Sequence, residues 1–486
     1  MLTQTAYGDS RLSLWLRVRE YAVPPSMIET ATARRSVGDW AGACAAAGVD
    51  VDLNLRSVAR SHGHDLTARI RADLRHLAPD LLRWHMPRIA PDGLLRPDLT
   101  LSLARYEVAE RDGPRSGPRA VHLVARTAPA WADAGQRISL ALWDGSGACG
   151  DPRPRARPER RFRLDLHRHL WDARRTDELR TRSGAERPPA DGCPEDPELR
   201  GLLPPGHHCA VDRWTDEALI LLRAEGRPPG AVTVRFGARR RLVLDLVAGG
   251  NGGRDGDRDG DRGGDRGGDR HDGPLALRAW AAPADGSACA LPVLPDAAVR
   301  VLPDLDLLRA GALDAERLHP LVAAALVPGH APAGPSRIPD RAGQPRLVEC
   351  RGARHRIGLV DGVLAPLDHD PAEIRREELL AALTGTPLPC LQAIDAAHRH
   401  PDCLTGVRER LDHGDTAGAL AVVEGLLGPG ALLRAGALRD ALEAAALRRI
   451  TYGLFRAGLA GPGPGRIDRG ARRPRRYRPH PRQALR

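Results

Sequence analysis

Residues 242 to 280 read LVLDLVAGGNGGRDGDRDGDRGGDRGGDRHDGPLALRAW, and this stretch decides how the middle of the chain is divided. Two runs of alternating leucine flank a tract of near-repeating Gly-Asp-Arg units, Gly249 to Gly273. Because loop closure costs only about 0.6 kcal/mol for each doubling of loop length, we predict one β-hairpin with an enlarged loop rather than a boundary between domains. The tract has too little apolar surface to fold and is predicted to be disordered.

A calcium loop is the functional alternative for the tract. Its start matches the D-x-D-x-D-G pattern, in which carboxylates two residues apart supply hard oxygen ligands, at Asp255, Asp257, Asp259 and Gly260. The twelfth position of such a loop is a bidentate Glu, but here it is Arg266. We therefore expect no calcium site, and the sequence assigns no cofactor.

Lysine is missing from the chain, so all 73 Lys+Arg residues are arginine. Several reactions need an amine on a flexible stem, which arginine does not replace. The sequence therefore lacks a Walker A lysine, a kinase ATP lysine and a Schiff-base lysine. No G-x-S-x-G or H-E-x-x-H motif occurs either. These absences argue against P-loop ATPases, protein kinases, common α/β-hydrolases and zincin proteases.

Positive charge is concentrated at the end of the sequence. The net charge is +11, and residues 466–486 contain nine Arg and one Asp, or +8, which leaves +3 for the rest. Guanidinium groups bind phosphates and a tyrosine ring stacks on bases. We predict an anionic-partner contact, to nucleic acid or another polyanion such as acidic lipid, through Arg472, Arg473, Arg475, Arg476, Tyr477 and Arg478.

Cysteine usage and hydropathy favour a cytoplasmic protein. The eight cysteines are scattered singly without a C-x-x-C motif, and no signal peptide precedes them. The longest apolar run, Leu321 to Val327, is far shorter than the roughly 20 residues that a spanning helix needs. We expect no transmembrane segment.

The hydrophobic period changes twice along the chain, which predicts an α+β fold with antiparallel sheets in the centre. Within the first region, Arg11 to Tyr21 is predicted to be strand-like. The predicted regions are a mainly helical N-terminal part (1–89), a β-rich central part with long loops (90–369), a helical C-terminal part (370–460) and a disordered Arg-rich tail (461–486).

Helix starts and stops have clear local signals. The hexapeptide GDWAGA at 38–43 recurs as GDTAGA at 414–419. In each copy the Asp is a preferred N-cap, so both copies are predicted to start a helix. Gly428-Pro429-Gly430 predicts a helix end.

A three-stranded unit follows the Pro-rich loop of the central part. Asp361-Gly362 predicts a two-residue turn in which Leu359 faces Leu364 and His355 faces Asp368. If Gly352-Ala353 is also a turn, Cys350 faces His355, Val348 faces Ile357 and Glu349 faces Arg356. This register gives one apolar face, formed by Val348, Ile357, Leu359 and Leu364.

The same register places Cys350, His355 and Asp368 in one row. Cross-strand neighbours are about 5 Å apart, so an imidazole oriented by a carboxylate would be able to deprotonate the thiol. This is the arrangement of a cysteine nucleophile. Against it, buried cysteines often pack as small hydrophobes, and no oxyanion donor is identified.

A second set of soft and borderline ligands lies further along. Cys390, His398, His400 and Cys403 are residue types that zinc accepts in a tetrahedral site. Their spacing is not that of a known zinc finger, and His398 and His400 would point in different directions on a helix. His207, His208 and Cys209, with Cys193, form a looser set. The sequence therefore assigns no metal ligand or catalytic residue outright.

Three functional classes remain open. A non-catalytic interaction or scaffold protein, whose partner is another protein, is favoured because no complete catalytic signature occurs. A nucleic-acid-associated protein that binds through its tail is the second. A cysteine-dependent enzyme using Cys350, His355 and Asp368, or a zinc protein using Cys390, His398, His400 and Cys403, is the third.

Overall fold

The computed structural model describes residues 11–108, 119–132, 136–145, 157–186, 197–237, 240–248, 275–283, 287–329, 346–361, 363–385, 387–399, 403–428 and 430–461. Helices dominate both ends of the chain, and antiparallel sheets lie between them. The fold class is α+β, as the periodicity predicts.

The first described residues form a helix, so the strand predicted for Arg11 to Tyr21 is wrong. Residues 11–17 form helix α1, which continues into a π-helical turn at Val18–Ala22. The apolar positions Leu12, Trp15 and Leu16 recur at spacings of three and one, which suits a helix face packed on the core. The hydrophobic pattern of Arg11 to Tyr21 thus fits either a strand or a helix, and the helix is the form that packs its apolar side chains on the core.

Five further helices and a short strand complete the N-terminal part. The Asp39 and Asn54 side chains cap the second and third of these helices by accepting backbone N–H groups. The elements are α2 (Pro25–Ser36), α3 (Trp40–Ala46), β1 (Val49–Val51), α4 (Leu55–His62), α5 (His64–His76) and α6 (Pro79–His85).

The largest sheet joins the N-terminal and central parts. The strands that follow β1 are β2 (Arg88–Ile89), β3 (Leu94–Leu95), β4 (Thr100–Val108), β5 (Arg119–Thr127) and β6 (Ile138–Trp143). The sheet has the order β1-β6-β5-β4, with β1 parallel to β6 and the other pairs antiparallel. The main hydrophobic core extends in sequence from Val18 to Ala323 and includes residues of α5, α6 and this sheet.

A second sheet confirms the hairpin predicted around the Gly-Asp-Arg tract. Strands β7 (Ala231–Phe236), β8 (Arg240–Ala248) and β9 (Leu275–Ala281) are antiparallel in that order. Leu246 pairs with Leu277, and Ala248 pairs with Leu275 at the base of the loop. The tract and its calcium candidate, Asp255, Asp257, Asp259 and Gly260, lie outside the described residues.

Short helices occupy the described segments between residues 179 and 326. The longest of them, Trp214–Ala224, packs Trp214 and Leu221 into a second core formed with the β7–β9 sheet. They are α7 (Leu179–Ser183), α8 (Pro197–Leu202), α9 (Trp214–Ala224), α10 (Asp296–Val299), α11 (Pro303–Arg309) and α12 (Pro320–Leu326).

From here on, the C-terminal part denotes residues 346–461, because the small sheet at its start, predicted for the central part, packs against the last helices in a core of their own. Strands β10 (Arg346–Cys350), β11 (Ala353–Val360) and β12 (Val363–Pro366) form an antiparallel meander. The helices are α13 (Pro371–Thr384), α14 (Pro389–Arg399), α15 (Leu404–His413), α16 (Thr416–Leu427) and α17 (Ala437–Arg456).

The predicted helix signals of this part are confirmed. Asp415 caps α16 by accepting the Gly418 N–H, as Asp39 accepts the Gly42 N–H at the start of α3. Helix α16 ends at Gly428, whose φ is +97°. A Cβ there would be strained at this φ and would displace the Leu359 side chain, so the position favours glycine.

Helix α17 returns to the N-terminal part. The Tyr452 hydroxyl donates to Asp50 of β1 over 2.7 Å, and Arg456 pairs with Asp50 and Asp52. In the described part of the chain, no helix combines the length and the hydropathy that crossing a bilayer requires.

Candidate metal centre

The meander sets the position of the first candidate residue, Cys350. Strand β10 ends there, and the turn consists of Arg351 and Gly352, whose φ angles are +53° and +79°. A two-residue turn with both φ angles positive matches the twist of a hairpin, and glycine favours that conformation. The predicted turn at Gly352-Ala353 is therefore wrong by one residue.

The shifted turn changes the partners but keeps the faces. Cys350 pairs with Ala353, and His355 pairs with Val348, so the predicted pairing of Cys350 with His355 is wrong. Glu349 faces Arg354 instead of Arg356. A register change of two residues preserves the side-chain direction. The apolar face of Val348, Ile357, Leu359 and Leu364 is thus confirmed, as is the pairing of Leu359 with Leu364.

Asp368 does not orient His355. Its carboxylate accepts the Arg356 backbone N–H over 2.7 Å and pairs with the Arg356 guanidinium, also at 2.7 Å. These hydrogen bonds lower the pKa of Asp368 to about 2. The described residues therefore do not assemble the row of Cys350, His355 and Asp368 that a cysteine nucleophile would use.

Cys350 instead meets residues from two other elements. His369 lies between β12 and α13, and Cys390 lies in the first turn of α14, which packs against β10. One ligand atom from each of Cys350, His369 and Cys390 lies within 4.8 Å of the others. In the described ranges, no other group of three or more His, Cys, Asp or Glu side chains is close enough to share an ion.

The centre is buried. Both thiols are 0% exposed, and the His369 side chain is 4% exposed. The Cys390 Sγ lies 3.6 Å from His369 Nε2 and hydrogen-bonds with the Cys350 thiol. Burial raises the pKa of the Cys390 thiol to about 11, and the neighbouring Cys350 thiol acts in the same direction. Without a cation, this thiol is neutral at pH 7.

Two further groups surround His369. Its Nδ1 lies 3.6 Å from the Glu373 carboxylate one turn into α13, so Nε2 is the nitrogen that faces Cys390. A carboxylate behind an imidazole fixes its tautomer and raises its basicity as a ligand. On the other side, the His355 ring stacks on His369 with centroids 4.2 Å apart and planes at 14°. The His355 Nδ1 is buried and has no hydrogen-bond partner among the described residues.

The predicted zinc set does not assemble around Cys390. His398 is eight residues along α14, or about 12 Å at the helical rise, and its Nδ1 accepts the Arg434 N–H over 3.3 Å. Cys403 lies before α15, and His400 is outside the described residues.

The looser set is also dispersed. His208 contacts Arg11 over 2.7 Å, whereas His207 packs edge-on against Phe236. Cys209 forms an isolated bridge with Arg300. Cys193 lies outside the described residues, as does the tail segment from Arg472 to Arg478.

The sequence did not indicate His369. Its distances in sequence from the two cysteines, nineteen and twenty-one residues, match no compact metal motif. The one available signal was the position of His369 directly after Asp368, the residue that the predicted register paired with His355.

Comparisons with models of known protein families, with curated proteins and with solved structures found no match.

Proposed function

We propose that this chain is a zinc-binding protein whose C-terminal part is held together by one ion at Cys350, His369 and Cys390. The observation that carries the proposal is the convergence of two thiols and an imidazole, from three separate elements, within 4.8 Å. Two sulfurs and one nitrogen are a donor set that suits zinc better than magnesium or calcium.

The distance between the Cys390 sulfur and the His369 nitrogen fits a tetrahedral zinc ion. Bonds of about 2.3 Å to sulfur and about 2.0 Å to nitrogen place these two atoms about 3.5 Å apart at tetrahedral angles. The Cys390 Sγ and His369 Nε2 are 3.6 Å apart. An ion would bind between these two atoms without separating α14 from the segment before α13.

His355 lies beside this donor set and supports it. Its ring is stacked on His369 with the planes at 14°, so the in-plane lone pairs of the two imidazoles do not point to one ion. Its nitrogens also do not join the group of ligand atoms within 4.8 Å of one another, and among the described residues no fourth side chain completes the sphere. The His355 ring therefore holds the His369 imidazole in place rather than binding the ion.

A structural role follows from the burial. A catalytic zinc site keeps one position open to water or substrate, but both thiols are fully buried here. The ion would cross-link β10, the segment before α13, and α14. The hydrophobic cluster around it is small: among the described residues, its buried members are the two cysteines, Leu388 and Leu391. This role agrees with a non-catalytic interaction or scaffold protein.

Metal analysis of the full chain, purified without chelators, tests the proposal. Wild type is expected to carry about one zinc per chain, and Cys350→Ser, Cys390→Ser and His369→Ala are expected to lose most of it. Cys403→Ser is the matched control, because it removes a thiol of the same region that lies outside the centre. Wild type without zinc that also fails to bind added zinc would overturn the proposal.

A further inference from the structure

A cleft opens where helices of the N-terminal part meet helices of the C-terminal part. Helices α2 and α3 contribute to it from one side, and α15, α16 and α17 from the other. Its volume is about 620 Å³, which is within the range of sites for small organic molecules. It is called the α17 cleft, and the residues that define it are Met27, Arg137, Leu420, Leu442, Ala446 and Arg449.

The α17 cleft changes from apolar to basic along helix α17. The side of the helix that lines it begins at Leu442, continues through two alanines and ends at Arg449, about two turns later. Met27 of α2 and Leu420 of α16 add further aliphatic side chains. No aromatic residue occurs among the described residues of the lining, so the walls suit an aliphatic body better than a planar ring.

Positive charge exceeds negative charge at the lining. Of the described residues that line the cleft, four are arginine and one, Asp415, is acidic. Three of these charged residues pair with side chains outside the lining: Arg137 with Asp50, Arg448 with Asp412, and Asp415 with Arg410. When these partners are counted, five arginines face three aspartates, so the pairs do not cancel the charge.

Arg449 is the arginine of the lining that is most available to a ligand. It is exposed, and it forms no ion pair in the part of the chain that the structure describes, whereas Arg448 of the same helix pairs with Asp412. Arg83 also lines the cleft but is 1% exposed, and its guanidinium donates to three backbone carbonyls. Charge complementarity therefore favours an anion whose charged end reaches Arg449.

We propose that the α17 cleft binds a small organic acid, with its anionic head at Arg449 and its aliphatic body against Leu420 and Leu442. A carboxylate or a phosphate on an alkyl chain has this chemistry, because a guanidinium donates charge-assisted hydrogen bonds to either anion. Such a ligand would touch both the N-terminal and the C-terminal part and stabilise their contact. The proposal does not depend on the zinc centre.

Isothermal titration of the full chain tests the proposal, with decanoate and decyl phosphate as the probes. Decanol and acetate supply the aliphatic body and the anionic head separately. Ala446→Phe places a ring in the cleft from an exposed position, and Arg449→Gln removes the unpaired guanidinium. Arg439→Gln is the matched control, because this arginine of α17 pairs with Glu443 outside the lining. Circular dichroism checks that all three variants are folded.

Wild type is expected to bind decanoate, decyl phosphate or both at a single site, to bind decanol more weakly and not to bind acetate. Arg449→Gln should weaken binding of the anions by about fivefold, as expected for a partly exposed charge contact. Ala446→Phe should abolish it, and Arg439→Gln should bind as wild type does. The proposal is overturned if wild type binds neither anion, if decanol binds as tightly as the anions, or if either cleft variant binds them as wild type does.

Discussion

Two buried polar groups, Asp172 beside the main core and Cys390 in the C-terminal part, have opposite environments. Each is 0% exposed. Asp172 accepts hydrogen bonds from Arg168 over 2.7 Å and from Arg174 over 2.8 to 3.1 Å. Burial alone would raise the pKa of Asp172, but these donors outweigh burial and lower it. At Cys390, burial raises the pKa and the neighbouring thiol adds to the rise.

This difference shows how the two regions satisfy polar groups away from water. Around Asp172 the guanidinium groups of Arg168 and Arg174 supply the positive charge, so the ionised carboxylate is fully paired. Around Cys390 the neighbours are another thiol and imidazoles, which accept a metal but offer no permanent positive charge. The Asp172 site therefore needs no bound ion, whereas the Cys390 site has the donor atoms of a metal site.

The largest expected effect is at Asp172. Asp172→Ala removes one of the two carboxylates that Arg168 and Arg174 share, and the free energy of unfolding should fall by about 3 kcal/mol. This value is at the low end for buried pairs because Asp73 still pairs with both arginines and the Arg174 side chain is 41% exposed. Urea denaturation at pH 7 measures the loss, which should be the same with and without a chelator.

The stabilisation from Asp172 should also disappear in acid. Its folded pKa is lowered, so the contribution is fully present above the unfolded value of about 3.9 and is lost as the pH falls through the folded value. The difference between wild type and Asp172→Ala should shrink only below about pH 4. A difference that already disappears near pH 6 would contradict the assignment.

Cys390→Ser should show the opposite dependence on metal. When free zinc exceeds its dissociation constant a hundredfold, binding stabilises wild type by about 2.7 kcal/mol, and the variant should lack this contribution. The comparison is the melting temperature with zinc and with a chelator. If zinc stabilises Cys390→Ser as much as wild type, the contrast between the two regions fails.

His355→Ala should weaken zinc binding by about tenfold without abolishing it, because the ring that stacks on His369 is removed while the three ligands remain. Competition with a chromophoric chelator measures the affinity. Arg354→Ala, on the neighbouring exposed position of β11, is the control. Unchanged affinity in His355→Ala would contradict the supporting role of this ring.

The smallest effect is expected at Asp368. Asp368→Asn should change neither the zinc affinity nor the reaction rate of the thiols with a maleimide, because its carboxylate is engaged by Arg356. A large change in thiol reactivity would instead support the cysteine-nucleophile hypothesis.

Local signals predicted much of the fold. Alternation predicted the hairpin of β8 and β9, and turn chemistry predicted the pairing of Leu359 with Leu364. Helix starts at Asp39 and Asp415 followed from capping alone. The first helix and the Arg351-Gly352 turn were missed, because a short alternating run fits two periods and a single glycine fits either position of a turn.

The metal centre was only half predictable. Cys350 and Cys390 were each singled out, but in two separate hypotheses, because nothing local joins a strand end to a helix start forty residues later. Packing of α14 on β10 brings them together. His369 depended on the path of the chain after β12, which the strand register did not determine.

Absorption spectroscopy of the cobalt-substituted full chain tests the zinc proposal most directly. Tetrahedral cobalt bound by two thiolates should give intense d–d bands and sulfur-to-metal charge-transfer bands in wild type and in Cys403→Ser. Both sets of bands should be lost or strongly changed in Cys350→Ser and Cys390→Ser. Wild type without these bands, or bands that survive in Cys390→Ser and disappear in Cys403→Ser, would contradict the proposed centre.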